Sequence, residues 1–142
     1  MTSRDRDPAG RPLNARPRDA LGRPLPPGAQ GVPPLPDDID PSPESVVVLA
    51  DRLLDEGLPF QAHEVLEAAW KACPNAERAA WQGMAQLAVA LTHASRGNDS
   101  GARRLRQRAE GNLAAGGLPP VAADLRDRLR RMCDAAGAYR TG

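Results

Sequence analysis

Proline decides what this chain can fold into, because eleven of its fifteen prolines fall before Glu44. A pyrrolidine ring fixes φ, removes an amide donor and pushes the preceding residue into extended geometry. No helix or interior strand can run through such a stretch, whereas the four later prolines stand where helices start or stop. The 142-residue chain therefore divides into an extended Pro/Arg-rich arm over 1–41 and a folding domain over 42–142. With 41% hydrophobic residues but only 3% aromatic ones, the core has to be built from Ala and Leu, which predicts an all-α fold.

The arm repeats itself. Asp7-Pro-Ala-Gly-Arg-Pro-Leu13 and Asp19-Ala-Leu-Gly-Arg-Pro-Leu25 share the pattern D-x-x-G-R-P-L at a spacing of twelve residues. Each copy reads as a Gly-centred turn running into an extended Arg-Pro-Leu, and such a segment lacks the apolar area to fold alone. Two readings are open: a solvated leader, or an arm that docks its Leu and Arg side chains on the domain or on a partner. Pro33-Pro34-Leu35-Pro36 reads as linker.

From Ser42 the pattern turns helical. Ser42-Pro43-Glu44 places a cap residue before a proline at the first helical position, and Val46, Val47, Leu49, Ala50, Leu53 and Leu54 recur at helical spacing until Gly57. Pro59 opens a second helix that Cys73-Pro74-Asn75 ends. A third, Ala-rich helix runs from about Glu77 to Arg96 and a fourth from Asp99 or Ser100 to Ala115, each followed by glycine. After Pro119-Pro120 a fifth stripes Val121, Leu125, Leu129, Met132 and Ala136. Gly57 is followed by Ala62, Leu66, Ala69 and Pro74 at offsets of five, nine, twelve and seventeen, the spacing of a tetratricopeptide-type helical hairpin. Gly97 is followed by Ala102 and Ala109 at the first and third of these offsets. The expected architecture is thus two stacked antiparallel hairpins, 44–73 and 77–115, with helix 119–137 as a C-terminal cap.

The second helix carries an unusual polar cluster. At about 100° per residue, Phe60, His63, Leu66, Glu67 and Trp70 share one arc, with Glu64 at its edge. On the third helix Gln82, Gln86 and His93 fall in a narrow arc around Val89. If the two helices are neighbours, His63 and Glu67 face Gln86 and His93 across the interface. Buried polar groups cost roughly 1–3 kcal/mol each when unpaired, so this arrangement needs its hydrogen bonds made. Three readings are open. The cluster is a structural network that fixes register; or a ligand or proton-transfer site with His63, Glu64 and Glu67 as catalytic candidates; or a divalent-metal site with His63, Glu67 and His93 as ligands. Phe60, Trp70 and Trp81 are expected as core aromatics, each indole N–H seeking a carbonyl or carboxylate.

At these residues the chain resembles DUF309, a family of small bacterial and archaeal helical domains of unknown function. The resemblance rests on Phe60-x-x-His63-Glu64-x-Leu66-Glu67-x-x-Trp70, then Gln82-Gly83-x-x-Gln86-Leu87-Ala88, then His93 and Gly97-Asn98-x-x-Gly101-Ala102. It covers about residues 44–115, and the arm looks like the Arg-Pro leader of actinobacterial members. The resemblance implies an all-α fold with a polar cluster built from His63, Glu64, Glu67, Gln82 and Gln86, and brings no activity, substrate or cofactor with it. Met84 and Ala85 stand where larger aliphatics look typical.

Charge is segregated: six Arg against three Asp over 1–30, four basic against eleven acidic residues over 31–100, and nine Arg against four acidic residues over 101–142. The simpler account is that acidic and basic parts of one domain face each other. On the fifth helix, Asp124 before Arg128 and Asp127 before Arg131 have the favourable ion-pair order. On the fourth, Arg103, Arg104 and Arg108 share an outward face that would suit an anion. No aromatic residues interleave with the basic ones, so nucleic acid is not the expected partner. No apolar run approaches the ~20 residues of a membrane span, the N-terminus lacks a secretory apolar segment, and Cys73 and Cys133 form no CxxC. The expectation is a cytoplasmic helical module of unassigned oligomeric state that meets a protein partner and needs no cofactor. The alternative is a metal-binding or hydrolase-like enzyme centred on His63, Glu64, Glu67 and His93.

Overall fold

In the computed structural model, the structure describes residues 34–141, with side chains through Gly137. The arm repeats at 7–13 and 19–25 lie outside the described residues. Five α-helices follow in order: α1 Pro43–Asp55, α2 Pro59–Ala72, α3 Arg78–Ser95, α4 Asp99–Ala115 and α5 Ala123–Thr141. Short 3-10 turns at Asn75–Glu77 and Pro120–Ala122 lead into α3 and α5, and the described residues hold no strand.

The entry to α1 departs from expectation in its chemistry. Ser42 has the extended backbone of a cap residue, yet its hydroxyl caps nothing. Asp40 does the work instead: Oδ1 accepts from the Ser42 amide at 2.9 Å and Oδ2 from the Ser45 hydroxyl at 2.9 Å. The Ser42 amide bond, followed by the Ser45 hydroxyl, holds the Asp40 carboxyl below its ordinary range. Just upstream, Leu35 and Ile39 are half-buried against the core, so two residues of the stretch assigned to the arm pack on the domain.

Gly57 and Gly97 close the loops after α1 and α3 with φ of +73° and +88°, a region L side chains rarely adopt. α3 is the centre of the fold. It packs on α2, α4 and α5 and buries Ala80, Trp81, Gly83, Met84, Ala85, Leu87, Ala88, Ala90, Leu91, Thr92 and Ala94. Its one buried hydroxyl, Thr92 Oγ1, donates to the Ala88 carbonyl at 2.9 Å. The inner faces of α1 (Val46, Ala50, Leu53, Leu54) and α2 (Ala62, Val65, Leu66, Ala69) complete the main cluster with Ala109 of α4 and Leu125 and Leu129 of α5.

α5 begins later than the sequence pattern suggests, because Pro119-Pro120 starts a 3-10 turn in which the Ala122 amide donates to the Pro119 carbonyl at 3.0 Å. That turn takes Val121 out of the apolar stripe and leaves it 41% exposed, while Ala122 is buried in its place. α5 lies along α3 and reaches both flanking elements through charge. Arg128 binds Asp51 Oδ1 at 3.0 Å and Asp55 Oδ1 at 2.6 Å on α1. Arg130 grips Glu110 of α4 at 2.6 Å, and Arg106 of α4 meets Asp134 at 2.9 Å. The acidic α1 and basic α5 thus face each other. The expected pairings within α5 give way to these: Arg128 turns to α1, and Asp127 bonds Arg126 and stands 3.8 Å from Arg130. A guanidinium that can reach two carboxylates on a neighbouring helix gains more than one i, i+4 contact offers.

Candidate functional site

α2 presents two faces. Gln61, Ala62, Val65, Leu66 and Ala69 are buried. Phe60, His63, Glu67 and Trp70 are half-buried along the outer edge, and Glu64 is exposed. Leu66 therefore separates from the arc in which the helical wheel placed it. His63 Nε2 contacts Glu67 Oε1 one turn on, and Lys71 Nζ lies 3.7 Å from the other Glu67 oxygen. The His63 side chain is 17% exposed and that of Glu67 35%, so the pair sits at the surface rather than within the core. The Phe60 and His63 rings are 5.4 Å apart and tilted by 50°, and the Arg78 guanidinium lies 5.0 Å over the Trp70 ring, a cation–π contact.

Two polar atoms on this stripe are buried without a partner, His63 Nδ1 and Trp70 Nε1. His63 Nε2 faces Glu67, while Nδ1 points inward, where no hydrogen-bond partner reaches it. The accessible nitrogen is the one already occupied by Glu67. Trp81, by contrast, is fully buried and donates its indole N–H to Glu77 Oε1 at 3.1 Å.

The polar residues of α3 look elsewhere. Gln86 Oε1 accepts from Asn112 Nδ2 of α4 at 2.7 Å, and His93 Nδ1 is 3.2 Å from the Asn98 amide nitrogen in the α3–α4 loop. Gln82 is half-buried. The expected convergence of His63 and Glu67 with Gln86 and His93 is therefore not formed. α3 is buried by residues on most of its circumference, and its polar arc falls beside α4 and the loop that begins it. Asn98 also caps α4, its Oδ1 accepting from the Gly101 amide at 3.1 Å, so His93 holds the residue that holds the helix. Among the described residues, no three His, Cys, Asp or Glu side chains are grouped so as to hold a metal ion; His63, Glu67 and His93 do not form such a set.

A second feature is the arginine distribution. Glu110 is shared by Arg106 and Arg130, and the Arg130 bonds, followed by Arg106, hold its carboxyl below the ordinary glutamate range against the effect of burial. Arg126 and Arg128 are likewise paired. Arg103, Arg104 and Arg108 are exposed and take no part in the Glu110 and Asp134 pairs that hold Arg106 and Arg130. From the sequence alone Asp40 and Asn112 have no assigned role, and Asn98 enters only within the Gly97-Asn98 motif. Only the i, i+4 relation of Arg106 to Glu110 and the N-cap position of Asn98 were available as signals.

No described helix is long and apolar enough to cross a membrane. Comparison with known proteins gives two matches. The "Uncharacterized protein YpuF" of Bacillus subtilis (strain 168) is 51% identical over 47 residues, 32% of this chain; the match spans only 27% of that protein. No solved structure matches the chain. Residues 48–105, which run from α1 through the first turns of α4, match the model of DUF309, described as a domain of unknown function. The His63-Glu64, Glu67, Trp70, Gln82-Gly83 and Gln86 positions all lie inside that match, so it is over the segment from α1 into α4 that the chain is similar to DUF309.

Proposed function

We propose that this DUF309-like domain is a non-enzymatic interaction module, two tetratricopeptide-type hairpins closed by α5, whose α4 face meets an acidic surface on a protein partner. The observation that carries the reading is the set of three exposed arginines, Arg103, Arg104 and Arg108, which stand outside the ion pairs named above among the described residues, on a helix whose other arginine is doubly paired. An exposed cationic face steers and orients an anionic partner more than it stabilises the fold. The dispersal of the polar cluster into local pairs, His63 with Glu67, Gln86 with Asn112 and His93 with Asn98, favours a structural role for each.

Affinity capture from the native host, with Arg104→Glu/Arg108→Glu and His63→Ala/Glu67→Ala variants alongside the wild type, tests this. The expected result is a partner whose capture weakens with salt, is lost on charge reversal and survives the dyad variant. Capture unchanged by charge reversal overturns the reading. The enzymatic alternative on His63, Glu64, Glu67 and His93 keeps one observation in its favour, the His63–Glu67 contact. It requires stoichiometric metal, or a turnover, that His63→Ala removes.

A further inference from the structure

α4 and α5 both lie against α3 but meet each other through ion pairs, and where they diverge an open cleft of about 400 Å³ remains. Ala90 and Ala94 of α3 and Ala102 of α4 line it, with Cys133 and Gly137 on the α5 side. Ala90 and Ala94 of α3, Ala102 of α4 and Gly137 of α5 put little side-chain volume into it. The Cys133 thiol adds no charge: it donates to the Leu87 carbonyl at 3.5 Å, and burial pushes it up to about 11. The rim is polar and carries both signs, formed by Asp99, Arg103, Arg106 and Gln107. Arg106 is held by Glu110 and Asp134, so its charge is spent within the fold. Asp99 has an interaction of its own. Arg103 is an exposed rim cation that takes no part in the Arg106–Glu110–Arg130 and Arg106–Asp134 pairs.

We propose that this cleft binds a small organic monoanion, its compact apolar body on the alanine floor and its carboxylate or sulfonate against Arg103, with the Gln107 amide as a neutral donor. The volume lies at the lower end of small-molecule pockets, roughly 300–1,000 Å³, and is short for the row of anchors that an amphipathic helix would need. A neutral ligand would leave Arg103 unused, and a cation would meet it unfavourably. The inference goes beyond the partner-docking face: it shares Arg103 with that face but assigns a different ligand and does not depend on Arg104 or Arg108.

The probes are 8-anilinonaphthalene-1-sulfonate and its neutral counterpart N-phenyl-1-naphthylamine, titrated by fluorescence into the full chain, with 1-naphthoate as the competing carboxylate. We expect one saturable site for the sulfonate, displaced by 1-naphthoate, and markedly weaker binding of the neutral dye. Arg103→Gln weakens the sulfonate by about tenfold, the loss of one charge-assisted contact, and leaves the neutral dye unchanged. Ala102→Trp fills the cleft and abolishes both signals. A misfolded variant cannot imitate that loss, because exposed core binds more of the dye. Arg104→Glu/Arg108→Glu keeps the sulfonate affinity within about twofold, since screening weakens charges that do not touch the ligand; this separates failure of the cleft from failure of the docking face. Equal affinity for the two dyes, no saturable site, or binding indifferent to Arg103→Gln overturns the proposal.

Discussion

The contact between α3 and α4 makes the fold testable with one methyl group. A Cβ at Gly83 would stand 2.8 Å from the Ala109 carbonyl oxygen, 2.9 Å from Leu113 Cγ and 3.1 Å from the Leu113 amide nitrogen. Two of these three atoms are α4 backbone, so the clash cannot be relieved by a rotamer change; the helices have to separate. In a helix, Gly→Ala normally stabilises by up to about 1 kcal/mol, while overpacking of this kind costs about 1–3 kcal/mol. Gly83→Ala should therefore lose up to about 2 kcal/mol net. Gly111, on α4 itself, has nothing within 4 Å of a Cβ, and Gly111→Ala should gain about 0.5–1 kcal/mol by the propensity term alone. Urea unfolding of the two variants, with the slope of free energy on denaturant unchanged, reads the difference directly. Adding Leu113→Ala to Gly83→Ala removes one of the three contacts and cannot restore the wild-type midpoint. If Gly83→Ala raises the midpoint as Gly111→Ala does, α3 and α4 do not approach as described, and the Gln86–Asn112 bond one turn away falls with them.

Other outcomes follow from the charged contacts. Glu67→Ala should change stability by less than about 1 kcal/mol, because its partners are i, i+4 neighbours at a partly exposed site; a loss of 2 kcal/mol or more by thermal unfolding would return Glu67 to a buried network. Arg128→Ala should lower stability by about 1 kcal/mol at low salt and less at high salt, since it unties α5 from Asp51 and Asp55. Arg130, followed by Arg106, holds the Glu110 carboxyl below the ordinary glutamate range in the folded state, so its contribution is present above that ordinary range and lost as pH falls through the lower folded-state value. Glu110→Gln should accordingly be less stable than wild type near neutrality, and the gap should narrow under acid; a gap constant from neutral to acid pH contradicts the ion-pair assignment.

The helices were legible in the sequence because their punctuation is local. Pro43, Pro59 and Pro119-Pro120 open helices or the turns before them, and Gly57 and Gly97 take the positive φ that ends α1 and α3; each of these is decided by one residue's own covalent geometry. Charge complementarity between acidic and basic segments was legible only in sum. Which carboxylate Arg128 would choose depends on the distance between α1 and α5, seventy-three to seventy-seven residues apart in the chain.

The polar cluster shows where the helical wheel stops being informative. A wheel orders side chains around one axis and says nothing about the rotation of a second helix relative to the first. His63 and Glu67 were correctly placed one above the other, since i, i+4 contact is internal to α2. Their meeting with Gln86 and His93 needed the azimuth of α3, and that is set by its apolar residues. With Trp81, Met84, Leu87, Ala88 and Leu91 all buried, the orientation of α3 is fixed by burial worth several kcal/mol. A hydrogen bond worth about 1 kcal/mol net cannot rotate it. Gln86 and His93 therefore take the partners that this orientation offers, Asn112 and Asn98. The same hierarchy explains the cleft: the alanines by which α3 approaches its neighbours closely leave, where α4 and α5 diverge, a space bordered by Arg103.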